Sequence, residues 1–426
     1  MIRTKNATYT ILLFLLVSGC SSGSVKQSDK KIKDSTSYIP PVPGKVSKEE
    51  FRRLYNGVVS FYDTFLLRRG FNGAILVAKK GQIIFEDYHG FGNFQKHDSL
   101  NEHSPFHLAS VSKTFTAMAT LKLAEQGKLS LDADMKSYFP LFPYDGINIK
   151  MLLSHRSGLP NYLYFMQKLG WDIKKYSTNM DVLDYLDNFK PPLTHVPGTH
   201  FSYCNTNFAL LGLIIEKASG MRYADYLQQT FFTPLQMNDT YVFSITKDSA
   251  RSMPSFNWRG REEKLTFLDE GFGDKNIYST PRDLLKWDQA LYTTQLFSKE
   301  TLDAAFTPYS NEKAGIKNYG YGWRMNIYPN GIKIIFHNGW WHGNYTVLLR
   351  LIQDSATIIV LGNKYNRAIY DAKKLANIFT PYFITDEEEK PDNINPADSS
   401  GHLSQDSSPV KHVSVIHNKK KLRRKR

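Results

Sequence analysis

Cysteine is scarce in this sequence: only Cys20 and Cys204 occur among 426 residues. A framework of several disulfides and a zinc site built from cysteines both need more thiols, so both are excluded. The apolar run at residues 11–17 is much shorter than the roughly 20 residues of a membrane-spanning helix. No internal repeat is evident. A single domain of about 340 residues buries enough surface to need no covalent staples.

The first 46 residues have the features of an export signal followed by a tether. Two basic residues precede the short apolar run, an order typical of secretory signals. Residues 16–20 (LVSGC) resemble a bacterial lipobox, which implies cleavage before Cys20 and lipidation of its thiol. We therefore expect a signal peptide at 1–19, a flexible tether at 20–46 and a lipid anchor in a membrane of the bacterial cell envelope. The alternative is an ordinary signal peptide that happens to precede a cysteine.

The formal net charge of +14 is concentrated at one end of the chain. Residues 411–426 hold eight lysines and arginines and no acidic residue, so the rest of the chain carries only +6. The polar tail at 386–426 has little to bury and predicts disorder. Its basic end suits an anionic lipid or envelope polymer, and the alternative is a solvated, solubilising tail. Nucleic acid is not an expected partner of an exported chain.

The S-x-x-K motif starting at Ser110 differs in context from four other matches in the sequence. Residues 110–126 contain no glycine or proline, repeat apolar residues at helical spacing and stop at Gly127. The pattern predicts a buried helix beginning at Ser110, with Lys113 one turn later on the same face. Free N–H groups at a helix start favour an oxyanion, and a desolvated lysine can activate a serine. The alternative is a plain helix cap and a solvated lysine.

A second polar segment precedes another apolar helix. Residues 202–207 contain Tyr203 and Asn205 and lead into a run that ends at Gly220. A phenol beside a cationic lysine can serve as a general base, and the Asn205 amide can bind a substrate. A packed aromatic in a loop is the alternative for Tyr203. Cys204 is expected to be a small packed residue rather than a second nucleophile.

A third motif, His337-Asn338-Gly339, follows a β-rich run at 333–336. Gly339 in a strand indicates close approach of another backbone or of a ligand. The N–H of Trp340 would complete an oxyanion hole with that of Ser110, and the Trp340 and Trp341 rings would offer apolar area. His337 as a structural histidine at a strand end is the alternative. A metal site at His337 is not favoured, because no cysteine or carboxylate cluster lies nearby in sequence.

The order of elements is strands, then helices, then strands. Residues 74–78 and 83–86 predict a hairpin, and residues 106–300 are mainly helical. Strands at 333–336, 346–349 and 357–361 follow, and a helix at about 368–380 closes the domain. The expected fold class is α/β (α+β): an antiparallel β-sheet flanked by helices plus a helical insertion, over residues 47–385, with the site at their junction.

These motifs resemble the penicillin-recognising serine hydrolases, which include class C β-lactamases, DD-peptidases and related esterases and D-aminopeptidases. Residues 151–160 and 277–284 also resemble the family, and the similarity spans roughly residues 50–380. The resemblance implies a serine hydrolase that forms an acyl-enzyme on a small molecule, a peptide or an ester, with no cofactor and no metal. It assigns catalysis to Ser110, Lys113 and Tyr203, and substrate binding to Asn205, His337 and Gly339. Trp340 joins the expected substrate-binding residues through its backbone N–H.

One departure from the family pattern affects the expected substrate. Many β-lactamases have lysine where this chain has His337, and a histidine is mostly neutral at neutral pH. We therefore expect uncharged esters or amides, or D-amino-acid peptides, to be better substrates than penicillins. Two alternatives stay open: a true class C-like β-lactamase, and an inactive relative that binds cell-wall peptides or acts as a sensor.

Overall fold

The computed structural model describes residues 38–382. The predicted signal peptide, the lipidation site Cys20, most of the tether and the basic tail lie outside this range. Within the described range, no helix is both long enough and apolar enough to cross a membrane. The first and last regular segments lie inside the predicted domain, 47–385, whose limits stay predictions.

Fourteen strands and ten α-helices make up the described part of the chain. The strands are β1 (Gly73–Lys79), β2 (Gln82–His89), β3 (Phe91–Asn93), β4 (Asp98–Ser99), β5 (Phe106–His107), β6 (Tyr241–Val242), β7 (Ser255–Phe256), β8 (Glu262–Glu263), β9 (Ile277–Ser279), β10 (Lys317–Tyr319), β11 (Arg324–Ile327), β12 (Lys333–Trp341), β13 (Asn344–Leu351) and β14 (Ala356–Gly362). The helices are α1 (Lys48–Phe61), α2 (Ser112–Glu125), α3 (Ile149–Leu153), α4 (Tyr162–Lys168), α5 (Asn179–Phe189), α6 (Asn205–Ser219), α7 (Tyr223–Leu227), α8 (Ile245–Asp248), α9 (Pro281–Ala290) and α10 (Lys299–Ala305).

A seven-stranded sheet in the order β10-β11-β12-β13-β14-β1-β2 forms the centre of the fold, and each neighbouring pair is antiparallel. Alternate side chains of each strand enter two separate cores. In β14, Ile359 and Leu361 join the core formed with α2 and α6, whereas Ile358 and Val360 join the core under α1. Both faces of the sheet are therefore covered, and the predicted fold class is confirmed.

The predicted hairpin and the predicted antiparallel strands are also confirmed. Lys80 and Gly81 connect β1 to β2, and both have positive φ (51° and 76°), as a tight two-residue hairpin turn requires. The closing segment differs from the expected helix at about 368–380. It is a 3-10 segment, Arg367–Ile378, which packs with α1 against the sheet.

The start of the helix after Ser110 also differs from the expectation. Ser110 lies in a 3-10 turn, Ala109–Val111, and α2 begins only at Ser112. Ala109 has φ of +48°, which is uncommon for a residue other than glycine. The turn presents Ser110 beside the helix start rather than within it. As predicted, α2 is almost entirely buried.

Candidate active site

Ser110 and Lys113 lie close together but differ in exposure. Ser110 is partly exposed at the edge of the helical region, whereas the Lys113 side chain is fully buried. The Lys113 amine lies 3.1 Å from Ser110 Oγ. The structure therefore brings together the two residues of the first motif, with the serine open to a substrate.

Lys113 has two further hydrogen-bond partners that orient its amine. Its Nζ donates to Asn205 Oδ1 and to the backbone oxygen of Asp274, each at 2.7 Å. Both atoms are acceptors, so they occupy two N–H bonds of the amine in any protonation state. The third position faces Ser110 Oγ. A neutral amine would therefore point its lone pair at the serine hydroxyl, and an ammonium would point its third proton there.

Tyr203 lies two residues before the start of α6, in the loop predicted from the sequence, and is partly exposed. The Lys113 amine lies 5.1 Å from the centre of its ring, and the Arg324 guanidinium carbon lies 4.9 Å from that centre. The His155 ring packs against it at a centroid distance of 4.3 Å. The Lys113 amine and the Arg324 guanidinium thus both lie close to the phenol ring.

The two residues that follow Tyr203 are Cys204 and Asn205. Asn205 is the first residue of α6, and its side-chain oxygen holds Lys113, so the predicted substrate-binding residue also orients the amine. Cys204 is buried, and burial raises the pKa of its thiol to about 11. A thiol in that state is a poor nucleophile at neutral pH.

Strand β12 places the third motif against the turn that carries Ser110. Strand β11 pairs with β12 only up to Phe336. Strand β13 pairs with the other side of β12 as far as Trp341, so the third motif has a strand on one side only. A Cβ added at Gly339 would lie 2.3 Å from the backbone oxygen of Leu108, so a side chain is excluded there. The predicted close approach at Gly339 is confirmed, and the atoms that approach are the Leu108 backbone oxygen and the Thr346 hydroxyl, the latter 2.2 Å from that Cβ position.

The Trp340 ring does not offer the apolar area that the sequence suggested. Side chains alternate along a strand, so Gly339 and Trp341 share one face and Trp340 lies on the other. The Trp340 ring packs into the core under α1, near Tyr345, and its Nε1 donates to the backbone oxygen of His342 at 3.0 Å. Only the backbone N–H of Trp340 stays a candidate for the site, as an oxyanion donor.

His337 is fully buried rather than open to a substrate. Its Nδ1 donates to the backbone oxygen of Asn338 at 2.7 Å, and its Nε2 accepts from the Tyr319 hydroxyl at 3.3 Å. Burial, reinforced by the charges of Arg324 and Lys113, holds the pKa of His337 well below its usual range. The histidine is therefore neutral at physiological pH.

Arg324, which sequence reasoning missed, is the permanent cation of this region. It begins β11, opposite Phe336, and its guanidinium is close enough to Tyr203 and His337 to act on both electrostatically. The third motif itself is neutral, as expected from His337, but a permanent cation lies beside it on β11. No local motif marks Arg324, because its position depends on where the pairing of β11 with β12 ends.

A buried ion pair below the site was also missed. Asp274 supplies its backbone oxygen to Lys113, and its carboxylate accepts from the Tyr162 hydroxyl at 3.0 Å. The Lys275 amine contacts the same hydroxyl and lies 3.5 Å from the Asp274 carboxylate. Burial lowers the pKa of Lys275, and the neighbouring carboxylate opposes that shift. This ion pair holds in place the loop whose Asp274 backbone oxygen binds the Lys113 amine.

Among residues 38–382, no three histidine, cysteine or acidic side chains stand together as a metal site.

An antiparallel sheet covered by helices, with a serine and a buried lysine brought together beside it, is the arrangement expected of the β-lactamase and penicillin-binding family. Comparison with known proteins agrees. The family profile described as Beta-lactamase matches residues 61–378. The chain belongs to this family.

Relatives and solved structures are consistent with that assignment. The chain is 33% identical over 345 residues to penicillin-binding protein 4* of Bacillus subtilis (strain 168), covering 76% of each chain. The solved penicillin-binding protein of Bacillus halodurans, at 24% identity, shows the same fold with a TM-score of 0.66 and covers 74% of this chain and 98% of its own. The octameric penicillin-binding protein homologue of Pyrococcus abyssi, at 25% identity, also has a TM-score of 0.66 and covers 76% of each chain.

Proposed function

We propose that this protein is an active serine hydrolase that cleaves an amide, peptide or ester through an acyl-enzyme at Ser110. The observation that carries the proposal is the Lys113 amine, 3.1 Å from Ser110 Oγ and bound otherwise to two acceptor oxygens. That arrangement prepares the amine to receive the hydroxyl proton. An inactive binding protein or sensor would have no need for a buried lysine oriented in this way.

The proposed mechanism has two steps. Ser110 Oγ attacks the acyl carbon while its proton passes to Lys113 and Tyr203, and the bond to the leaving group breaks as that group receives the proton. Water then attacks the acyl-enzyme, loses a proton to the same pair, and releases the acid with Ser110 restored. Backbone N–H groups of Ser110 and Trp340 are the proposed oxyanion donors.

The substrate class follows from charge. Arg324 brings a permanent positive charge to a site whose histidines are neutral, so we propose a substrate that carries a carboxylate close to the scissile bond. A peptide with a free C-terminus and a β-lactam both meet this requirement, and the similar proteins are named for binding penicillin. This proposal replaces the preference for uncharged substrates that the neutral His337 had suggested.

The location proposed for the enzyme rests on the sequence. The lipobox-like stretch ending at Cys20 supports a lipid anchor in the bacterial cell envelope, and the basic tail supports contact with anionic lipid or envelope polymer. Replacing Cys20 with serine should release the protein from the membrane fraction. Retention of the Cys20→Ser protein in membranes washed with high salt would place the anchor elsewhere.

A substrate panel tests the activity and separates its alternatives. The wild-type protein and Ser110→Ala are compared on a D-alanyl-D-alanine peptide, nitrocefin and an uncharged p-nitrophenyl ester. We expect turnover of at least one carboxylate substrate that disappears in Ser110→Ala. Nitrocefin as the best substrate would assign a β-lactamase, the peptide would assign a peptidase, and equal rates for both proteins would contradict the proposal.

A further inference from the structure

His155 holds the segment that carries Tyr203 on both sides of that tyrosine. Its backbone oxygen accepts from the N–H of Ser202 at 2.8 Å, and its Nδ1 accepts from the N–H of Cys204 at 3.2 Å. His155 is fully buried and has a φ of +55°, an uncommon conformation for a residue other than glycine. One residue thus fixes the backbone immediately before and immediately after Tyr203.

The His155 ring also fixes the Tyr203 side chain. The two rings are 4.3 Å apart at an interplanar angle of 40°. The rings of Phe208 and Tyr319 pack against the same imidazole at 5.0 Å and 4.9 Å, so the imidazole has little room to move. A fixed ring on one face of Tyr203 limits the positions that its phenol can take beside Lys113.

A chain of hydrogen bonds sets the tautomer of His155. The N–H of Leu159 donates to Ser157 Oγ at 3.1 Å, and the Ser157 hydroxyl donates to Asn207 Oδ1 at 2.6 Å. The Asn207 side-chain amide is then left to donate to His155 Nδ1, at 3.1 Å. Because Nδ1 accepts from both the Asn207 amide and the Cys204 N–H, it carries no proton.

The remaining proton of His155 lies on Nε2, which is buried and has no hydrogen-bond partner among the described residues. A polar atom left in this state destabilises the fold. Burial and the nearby charges of Lys113 and Arg324 hold the pKa of His155 well below its usual range, in agreement with the neutral tautomer. A phenylalanine would avoid the unpartnered atom, but it would lose the acceptor that holds Cys204.

We propose that His155 is the positioning residue for Tyr203. As a neutral acceptor and a stacking surface, it holds the phenol beside Ser110 and Lys113 without adding a positive charge. This inference rests on the proposed role of Tyr203 as a general base. His155 itself touches neither the substrate nor the transferred proton.

Two substitutions separate the two contributions of His155. His155→Phe keeps a ring against Tyr203 and removes the acceptor, whereas His155→Asn keeps an acceptor and removes the ring. Each is made in the wild type and in Tyr203→Phe, with His89→Phe on the exposed end of β2 as the matched control. Rates are expressed per site titrated to completion with a fluorophosphonate, so misfolded molecules are not counted.

We expect each His155 variant to lower kcat by about 10- to 100-fold, the scale of a small misplacement of a catalytic group, with KM changed by less than about threefold. In Tyr203→Phe, the same changes should cost less than about twofold, because the residue being positioned is already inactive. The pH profile should keep both limbs, since His155 does not exchange protons. His89→Phe should match the wild type.

Equal losses in both backgrounds, or an unchanged kcat per titrated site, would overturn the proposal. If His155→Phe yields no soluble protein, the losses measured for His155→Asn in the two backgrounds decide the question. If His155→Asn also fails to fold, His155→Gln takes its place. Failure of the proposed function gives a different result. In that case the wild-type protein itself shows neither a Ser110 adduct nor turnover.

Discussion

Replacing Arg324 with glutamine should separate substrates that carry a carboxylate from those that do not. Arg324 is half-buried at the start of β11, with its guanidinium carbon 4.9 Å from the Tyr203 ring. It is the permanent cation beside a neutral, buried His337. Arg324→Gln therefore removes the charge proposed to bind the carboxylate, and His337 does not replace it near neutral pH.

The expected magnitude follows from the partial burial of Arg324. A hydrogen bond to a charged group contributes about 1.5–3 kcal/mol, and a fully exposed ion pair contributes about 0–1 kcal/mol. A half-buried pair should contribute about 2 kcal/mol, which corresponds to roughly a 30-fold loss of kcat/KM. Arg324→Lys keeps the positive charge but loses the planar guanidinium, which can bind both carboxylate oxygens. The loss of kcat/KM should therefore be smaller than in Arg324→Gln.

The assay compares kcat/KM for nitrocefin or a D-alanyl-D-alanine peptide with that for an uncharged p-nitrophenyl ester. Because Arg324 also packs on Tyr203, the ester measures any loss that arises through the tyrosine. Arg68→Gln, at an exposed position, is the control for the change of net charge. Equal losses for the ester and the carboxylate substrate would refute the assignment of Arg324 to carboxylate binding.

Three further predictions concern the base, the close approach and pH. Tyr203→Phe should lower kcat by roughly 100-fold or more, measured on the best substrate, and unchanged turnover would remove Tyr203 from the mechanism. Gly339→Ala should destabilise the fold by about 1–3 kcal/mol and slow acylation, because the added Cβ meets the Leu108 oxygen. Urea unfolding measures the first effect, and a wild-type free energy of unfolding with a wild-type acylation rate would contradict the prediction. His155 and His337 have lowered pKa values in the folded state, so their contribution to stability is present above pH about 6.5 and declines as pH falls. Stability in urea unfolding should therefore fall between pH 7 and pH 5.5, by up to about 1 kcal/mol for each histidine, and constant stability across that range would show that they are not held neutral.

The parts of the site that sequence reasoning found are those encoded over a few residues. The three-residue spacing of Ser110 and Lys113 and the helix that follows place both side chains together through local geometry alone. Tyr203 could be placed before α6 because the apolar run after it is unambiguous. Gly339 could be assigned to a close approach because glycine is unfavourable in a strand without such a reason.

The parts that were missed depend on contacts between distant segments. Asp274 reaches Lys113 through its backbone oxygen, which no residue type reveals. Arg324 reaches the site because β11 stops pairing with β12 at that point, which depends on strand register. Trp340 is different: strand alternation alone would have assigned it to the face opposite Gly339. That error came from treating two adjacent tryptophans as equivalent.

The most direct test of the central claim is intact-mass spectrometry of the protein after exposure to penicillin or a fluorophosphonate, with peptide mapping of the adduct. We expect one covalent adduct per molecule, on Ser110, and none in Ser110→Ala. Lys113→Ala, which removes the amine beside the hydroxyl, should form the same adduct far more slowly. An adduct that persists in Ser110→Ala, or one that maps to another residue, would contradict the assignment of Ser110 as the nucleophile.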